Sequence, residues 1–234
     1  MASPAGGLHS GVMESATDVS LTTRRVAGVL LLFGAAQFLI AEAVTAGAWH
    51  NPLYDYVHLY ISDLGSPVCG PQQGRLVCSP WHGLMNFSLN VQGMTYIVAA
   101  VLLFRLVPGR SRYLVLALAT AHALGASLVA VFNASSSSAL ITTWHTLGAA
   151  GVILGSQLIA IIVGITVRAA PGWFRIAGVL IGVLGILVGL SLPVIGAHAF
   201  PEGGLVERVA IYLVFVFQVL LGVTLLGRSR ATGR

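Results

Sequence analysis

The chain contains no lysine, only two cysteines and very little charge: charged side chains make up 8% of its 234 residues. A soluble domain carries about 25%, so a soluble globular fold is excluded. The formal net charge is +5, but the arginines behind it are dispersed among short segments. No polybasic patch results, and a nucleic-acid partner is excluded with it. There is no Gly-rich phosphate loop, no Gly-x-Ser-x-Gly elbow and no His-Glu-x-x-His. What fills the sequence is apolar: 56% hydrophobic residues and a mean hydropathy of +0.90. This is the composition of an integral membrane protein. Arginine-only basic usage with abundant Ala, Gly, Val and Leu fits a GC-rich bacterial genome.

The expected fold is all-α, a polytopic membrane protein with six transmembrane helices in one bundle. Residues 1–22 read as a disordered cytoplasmic tail, 23–228 as the transmembrane domain and 229–234 as a second cytoplasmic tail. The apolar run 26–48 is too long for the roughly 7–15-residue core of a signal peptide and matches the span of about 20 residues a bilayer needs. Five further spans are expected near 83–104, 113–133, 146–167, 176–195 and 209–226. Arg24, Arg25, Arg105, Arg110, Arg112, Arg168, Arg175, Arg228, Arg230 and Arg234 fall on one side of them, and only Arg75 and Arg208 on the other. The positive-inside rule then places both termini in the cytoplasm of a multi-pass plasma-membrane protein. Gly178, Gly182, Gly185 and Gly189 on the fifth helix, and Gly148, Gly151 and Gly155 on the fourth, predict close contact between those two helices.

The outer side holds three loops, at 49–82, 134–145 and 196–208. Glu42, Asp55, Asp63, Glu202 and Glu207 lie in or near them, as do His50, His58, His82, His145 and His198. Polar chemistry is thus expected at the outer face, and the cytoplasmic face reads as plain. In the first loop Asn51-Pro52 resembles a helix start, and Trp49, Tyr54, Tyr56 and Tyr60 suit the headgroup region. A short interfacial helix ending near Ser62 is expected. Cys69 and Cys78 lie outside the cytoplasm on this topology and are expected to form a disulfide.

Several short elements carry a family resemblance: Ile61-Ser62-Asp63-Leu64-Gly65, Ser79-Pro80 with Met85-Asn86, Trp144-His145 with Gly148-Ala149, and Glu207-Arg208. Together they resemble the bacterial and archaeal six-span membrane proteins catalogued as domain of unknown function 998, over most of the chain. Phe132-Asn133 departs from the Phe-Pro of that pattern. The resemblance implies the fold and a shared polar site near Asp63. It implies no activity.

Two constellations could carry chemistry. At the outer face, His82, Asn86 and Asn90 share one helical stripe, and Asn133 lies on the stripe of His122. Asp63, His82, His145 and Glu207 are the candidate catalytic residues. Ser62, Asn86, Asn90, His122, Asn133, Gln157 and Arg208 are the candidate binding residues. Asp63, His82, His145 and His198 are the candidate metal ligands for a divalent cation such as zinc. The plainer reading leaves the histidines in headgroup water and makes Asp63 an N-cap or a salt-bridge partner of Arg208. Glu42 is expected to pair with Arg208. The second constellation is a midplane layer of Gln37, Gln92, His122, Gln157 and Gln218, about 15 Å from a membrane face. Its structural reading is mutual hydrogen bonding, and its functional reading a polar cavity, with His122 as a proton relay.

Three functions are compatible with this pattern, beside the plainer option of an accessory subunit whose packing faces bind another membrane protein. One is a membrane-embedded enzyme, with or without a metal, acting on a lipid or another apolar small molecule. The second is a transporter or binding protein for a small molecule or lipid. The third is a haem protein ligated by His82 and His145. Membrane lipids are the expected partners on each, and the sequence does not define the oligomeric state.

Overall fold

The computed structural model describes residues 19–72, 74–133, 138–197 and 202–231. Six helices are present among them: α1 (Leu21–Gly47), α2 (His82–Leu102), α3 (Ser111–Val131), α4 (Ala139–Thr166), α5 (Gly172–Ala197) and α6 (Gly203–Ala231). They form a ring in chain order. Each helix packs on the next, and α6 returns to α1. Ser20 caps α1 by accepting the Thr23 N–H at 3.1 Å, which explains why the helix begins ahead of its apolar run. Five of the six are long and apolar enough to cross a bilayer. The exception is α2, which has 21 residues but carries His82, Asn86, Ser88, Asn90, Gln92 and Thr95 along its first part.

Two apolar clusters fill the ring. One, around Leu31, Val163, Phe174 and Phe217, lies toward the end where the arginine-bearing connections sit. The other, around Phe38, Trp49, Leu64, Met85 and Phe215, lies toward the Asp63 end. Buried Gln92, His122, Ser156 and Gln218 separate them.

The glycines of α5 do face α4. A methyl added at Gly182 would sit 2.6 Å from the Gln157 carbonyl oxygen, and one at Gly178 would sit 3.1 Å from that of Ala160. Gly148, Gly151 and Gly155 of α4, however, face α3. A methyl at Gly148 would lie 2.8 Å from the Gly125 carbonyl oxygen, and one at Gly151 would lie 2.8 Å from that of Ala121. Helix α4 therefore has a close-approach seam on each flank, where the sequence had suggested one.

The first connection differs from expectation. No helix spans 51–61. The Asp55 side chain accepts the N–H groups of Val57 and His58 at 2.8 and 3.3 Å, and one turn closes from the Leu59 N–H to the Asp55 carbonyl. A local side-chain bond of this kind competes with helix continuation. Helical structure appears only as a 3-10 turn over Ser62–Gly65. A two-stranded antiparallel hairpin follows, β1 (Gly70–Gln72) and β2 (Arg75–Val77), which the all-α reading did not contain. The expected Cys69–Cys78 disulfide closes its base. The predicted N-terminal tail falls largely, and residues 232–234 wholly, outside the described residues.

Substituting Gly148 by valine is expected to destabilise the protein by about 1–3 kcal/mol, the usual cost of overpacking a closed contact. Gly227→Val, where nothing lies within 4 Å of the added carbon, is the control. Thermal unfolding in detergent measures both, and equal midpoints would refute the α3–α4 seam.

Candidate functional site

At the Asp63 end the chain builds a cap over the ring. Arg208, near the start of α6, is 4% exposed, and Glu42 on α1 is 1% exposed. The Arg208 Nε donates to Glu42 Oε1 at 3.1 Å. Its Nη1 donates to the carbonyls of Tyr56, Leu59 and Gly204 at 2.8, 2.7 and 3.1 Å, and its Nη2 donates to the Tyr54 hydroxyl. The second Glu42 oxygen accepts the Tyr212 hydroxyl at 2.9 Å. The Arg208 guanidinium also lies against the Tyr54 and Tyr56 rings, 5.2 and 4.8 Å from their centroids. One cation thus satisfies two backbone carbonyls of irregular chain, those of Tyr56 and Leu59, that would be costly to bury unpaired. Burial pushes the Tyr54 phenol well above its ordinary range, so it stays a neutral partner in the cluster.

Asp63 is buried and pairs with Arg75. The Arg75 Nε donates to Oδ2 at 3.0 Å and Nη2 to Oδ1 at 3.2 Å. Oδ2 also accepts the Tyr60 N–H at 2.9 Å, which starts the 3-10 turn. Arg75 comes from β2, so the disulfide-closed hairpin delivers the partner. The turn is fixed on its other side by α2. Asn86 Nδ2 donates to the Gly65 carbonyl at 3.0 Å, and Ser79 Oγ donates to that of Leu64 at 2.7 Å. The Asn86 amide lies where a Cβ on residue 65 would be, which explains the glycine that ends the element.

Beneath the cap lies a narrow cavity of about 40 Å³. Ser62, Gln92, His122, His145 and Glu207 are its polar lining residues. Four of these, all but Gln92, are residues singled out from the sequence as catalytic or binding candidates. Glu207 accepts the Ile61 N–H at 2.5 Å and also that of Ser62. His145 has Nδ1 2.7 Å from the Phe132 carbonyl. A carbonyl only accepts, so Nδ1 carries the proton and Nε2 of the neutral ring is a base.

The remaining candidates stand elsewhere. His82 opens α2 with Nδ1 3.1 Å from the Ser79 carbonyl, and it does not line the cavity that His145 lines. Asn90 accepts the Ser127 hydroxyl at 2.8 Å and ties α2 to α3. Asn133 follows the end of α3 and lines neither cavity described here. Gln157 donates to the Ala210 carbonyl at 3.3 Å. His198 lies outside the described residues. Among the described residues no three His, Cys, Asp or Glu side chains gather as a metal site would require. Asp63 and His82, as candidate ligands, are engaged by Arg75 and the Ser79 carbonyl instead.

The midplane layer is a directed chain of hydrogen bonds. Gln218 Nε2 donates to the Leu31 carbonyl at 2.9 Å, which turns its oxygen toward Gln92. Gln92 Nε2 donates to that oxygen at 3.3 Å, which turns the Gln92 oxygen toward His122 Nε2 at 2.7 Å. At the other ring nitrogen, Nδ1 lies 2.6 Å from the Ser156 hydroxyl and 3.1 Å from the Val152 carbonyl, so His122 is held at both nitrogens. Tyr96 bonds to Ser156 in turn. The chain joins α1, α6, α2, α3 and α4. Gln37 is separate and bonds to Ser88.

On the far side of this layer is a much larger cavity, of about 1010 Å³, opening at the end previously read as plain. Leu31 and Tyr96 line its deep part, and Arg24, Arg105, Arg112 and Arg168 its mouth. Sequence reading missed it because those arginines were fully accounted for by topology. Their clustering at the start of α1 and around two connections was the available signal.

A ring of long apolar helices around a buried polar layer defines a membrane-embedded helical bundle. The chain belongs to the family described as Protein of unknown function (DUF998), whose model matches residues 21–224. No curated protein and no solved structure matches it.

Removing one partner of a buried ion pair leaves the other charge uncompensated, at a cost of about 3–5 kcal/mol. Glu42→Gln is expected to fall in this range, with Arg75→Met costing less because Arg75 is 19% exposed. Denaturation in mixed micelles gives both values, and a larger loss for Arg75→Met would reverse the ranking of the two latches.

Proposed function

We propose that the protein is a six-span plasma-membrane carrier of a small amphiphilic molecule, with both termini cytoplasmic. The observation behind this reading is that two cavities end on one hydrogen-bonded layer. The cavity beneath the cap reaches Gln92 and His122, and the larger one reaches Leu31 and Tyr96, which bond into the same chain. A site at mid-depth, wide on one side and constricted on the other, is the arrangement that access from alternating sides requires. The arginine count supports a cytoplasmic wide side. Helix α2 acts as the sixth span, because Gln92 bonds to mid-helix residues of α3 and α6 and so lies at their depth. Its polarity is directed into the ring.

A second reading is an enzyme whose site is the capped cavity. It is favoured by the Ser62 hydroxyl, the Glu207 carboxylate and the basic Nε2 of His145 lining one space. Asp63 would then be a positioning residue, since its carboxylate is committed to Arg75 and the Tyr60 N–H.

The carrier reading makes the midplane chain the barrier between the cavities. Ala100→Cys, in the wide cavity, is expected to react with an impermeant maleimide from the cytoplasmic side. Ala149→Cys, in the capped cavity, is expected to react from the outer side at least about tenfold more slowly. Gln92→Ala, which removes the link between His122 and Gln218, should raise the outer rate. Equal rates for the two cysteines, or no effect of Gln92→Ala, would contradict the proposal.

A further inference from the structure

The wide cavity has a chemical polarity of its own. At about 1010 Å³ it is at the upper limit of small-molecule pockets, which run from about 300 to 1,000 Å³. Its wall is apolar, with Ala99, Leu103, Val163, Phe174 and Leu221 among the lining residues. Its charged lining residues are Arg24, Arg105, Arg112 and Arg168, and no acid is among them. All four arginines belong to the end of the ring where the 103–110 and 167–171 connections lie. From Arg24 to Leu31 is seven residues of α1, about 10 Å along the axis. The arginines therefore occupy the mouth and the hydrocarbon the interior.

Two of the four are oriented by the fold. Arg24 Nε donates to the Val19 carbonyl at 2.9 Å, and Arg112 Nε donates to that of Gly109 at 3.0 Å. Arg112 also lies over the Phe104 ring, 5.6 Å from its centroid. Anchoring Nε sets the direction of the Arg112 terminal fork in advance, which lowers the cost of ordering it around an anion. A guanidinium fork matches the oxygens of a phosphate two at a time. An acyl chain would replace water along the apolar wall.

We infer that this cavity binds an anionic phospholipid of the surrounding leaflet, its acyl chain inside the ring and its phosphate held by Arg24, Arg105, Arg112 and Arg168. The inference rests on the carrier reading for its biological meaning and on the cavity alone for its chemistry. On the proposed topology the mouth lies at the cytoplasmic leaflet, which is rich in anionic lipids.

The test is native mass spectrometry of the full chain in detergent, titrated with phosphatidylglycerol or with phosphatidylcholine. Phosphatidylglycerol is expected to bind at least tenfold more tightly. Arg105→Gln with Arg168→Gln should remove most of that preference; both residues are exposed, and the other cytoplasmic arginines stay in place to set topology. Ala100→Trp, which fills the cavity without touching the arginines, should abolish binding of both lipids. A folded protein that binds the two lipids equally would overturn the inference, as would displacement of phosphatidylglycerol by millimolar inorganic phosphate with Ala100→Trp silent. Selective binding without movement of a fluorescent phosphatidylglycerol across proteoliposomes would leave this inference standing and remove the carrier reading. Movement of that lipid with unaltered selectivity in the arginine double variant would do the reverse.

Discussion

The structure depends first on one buried guanidinium. Irregular chain cannot be sealed against a helical bundle unless its carbonyls find donors, and the first connection of this protein is irregular from Trp49 to the hairpin. Arg208 provides those donors. It sits on α6, is neutralised by Glu42 on α1, and holds the carbonyls of Tyr56 and Leu59 between them. The cap is therefore attached where the ring of helices closes. The Asp63–Arg75 pair continues the same logic one step out, with the disulfide holding the hairpin that carries Arg75. These two pairs, with Asn86, Ser79 and Glu207, hold the Ser62-Asp63-Leu64-Gly65 turn above the cavity.

The interior follows from a second constraint. Polar side chains buried at mid-depth must satisfy one another, and the Leu31 carbonyl at one end of the chain orients the amides of Gln218 and then Gln92. His122, fully buried, is held from both sides, at Nε2 by Gln92 and at Nδ1 by Ser156 and the Val152 carbonyl. The same chain, from Leu31 to Tyr96, crosses the ring and separates the capped cavity from the wide one. The apolar clusters above and below it are the walls of those cavities.

Much of this was legible in the sequence, for identifiable reasons. Composition and span length gave the six helices, although α4 begins at Ala139 and α6 at Gly203, ahead of the expected 146 and 209. Cys69 and Cys78, alone on one side, gave the disulfide. The absence of lysine left Arg208 as the natural partner of Glu42, and the regular depth of Gln92, His122 and Gln218 announced the layer. Other features were not legible. Asn51-Pro52 looked like a helix start, but Asp55 takes the amides that a helix would use. The α4 glycines gave no sign of which neighbour they face, since small-residue spacing marks a seam and not a partner. Asp63 looked free to act because its partner lies on a hairpin whose three-residue strands leave almost no periodic signal. Tyr96 and Ser156 are common residues in helices, and only packing brings them to His122.

The most direct test of the account is hydrogen–deuterium exchange over residues 54–65, in the native protein and in Arg208→Gln. The account predicts slow exchange of the Leu59, Ile61, Asp63 and Leu64 amides in the native protein, since each is hydrogen-bonded within the cap. It predicts fast exchange of the same segment in the variant, with α3 and α4 unchanged. Fast exchange in the native protein, or a variant in which the segment stays protected, would show that Arg208 does not hold the cap and would contradict the account.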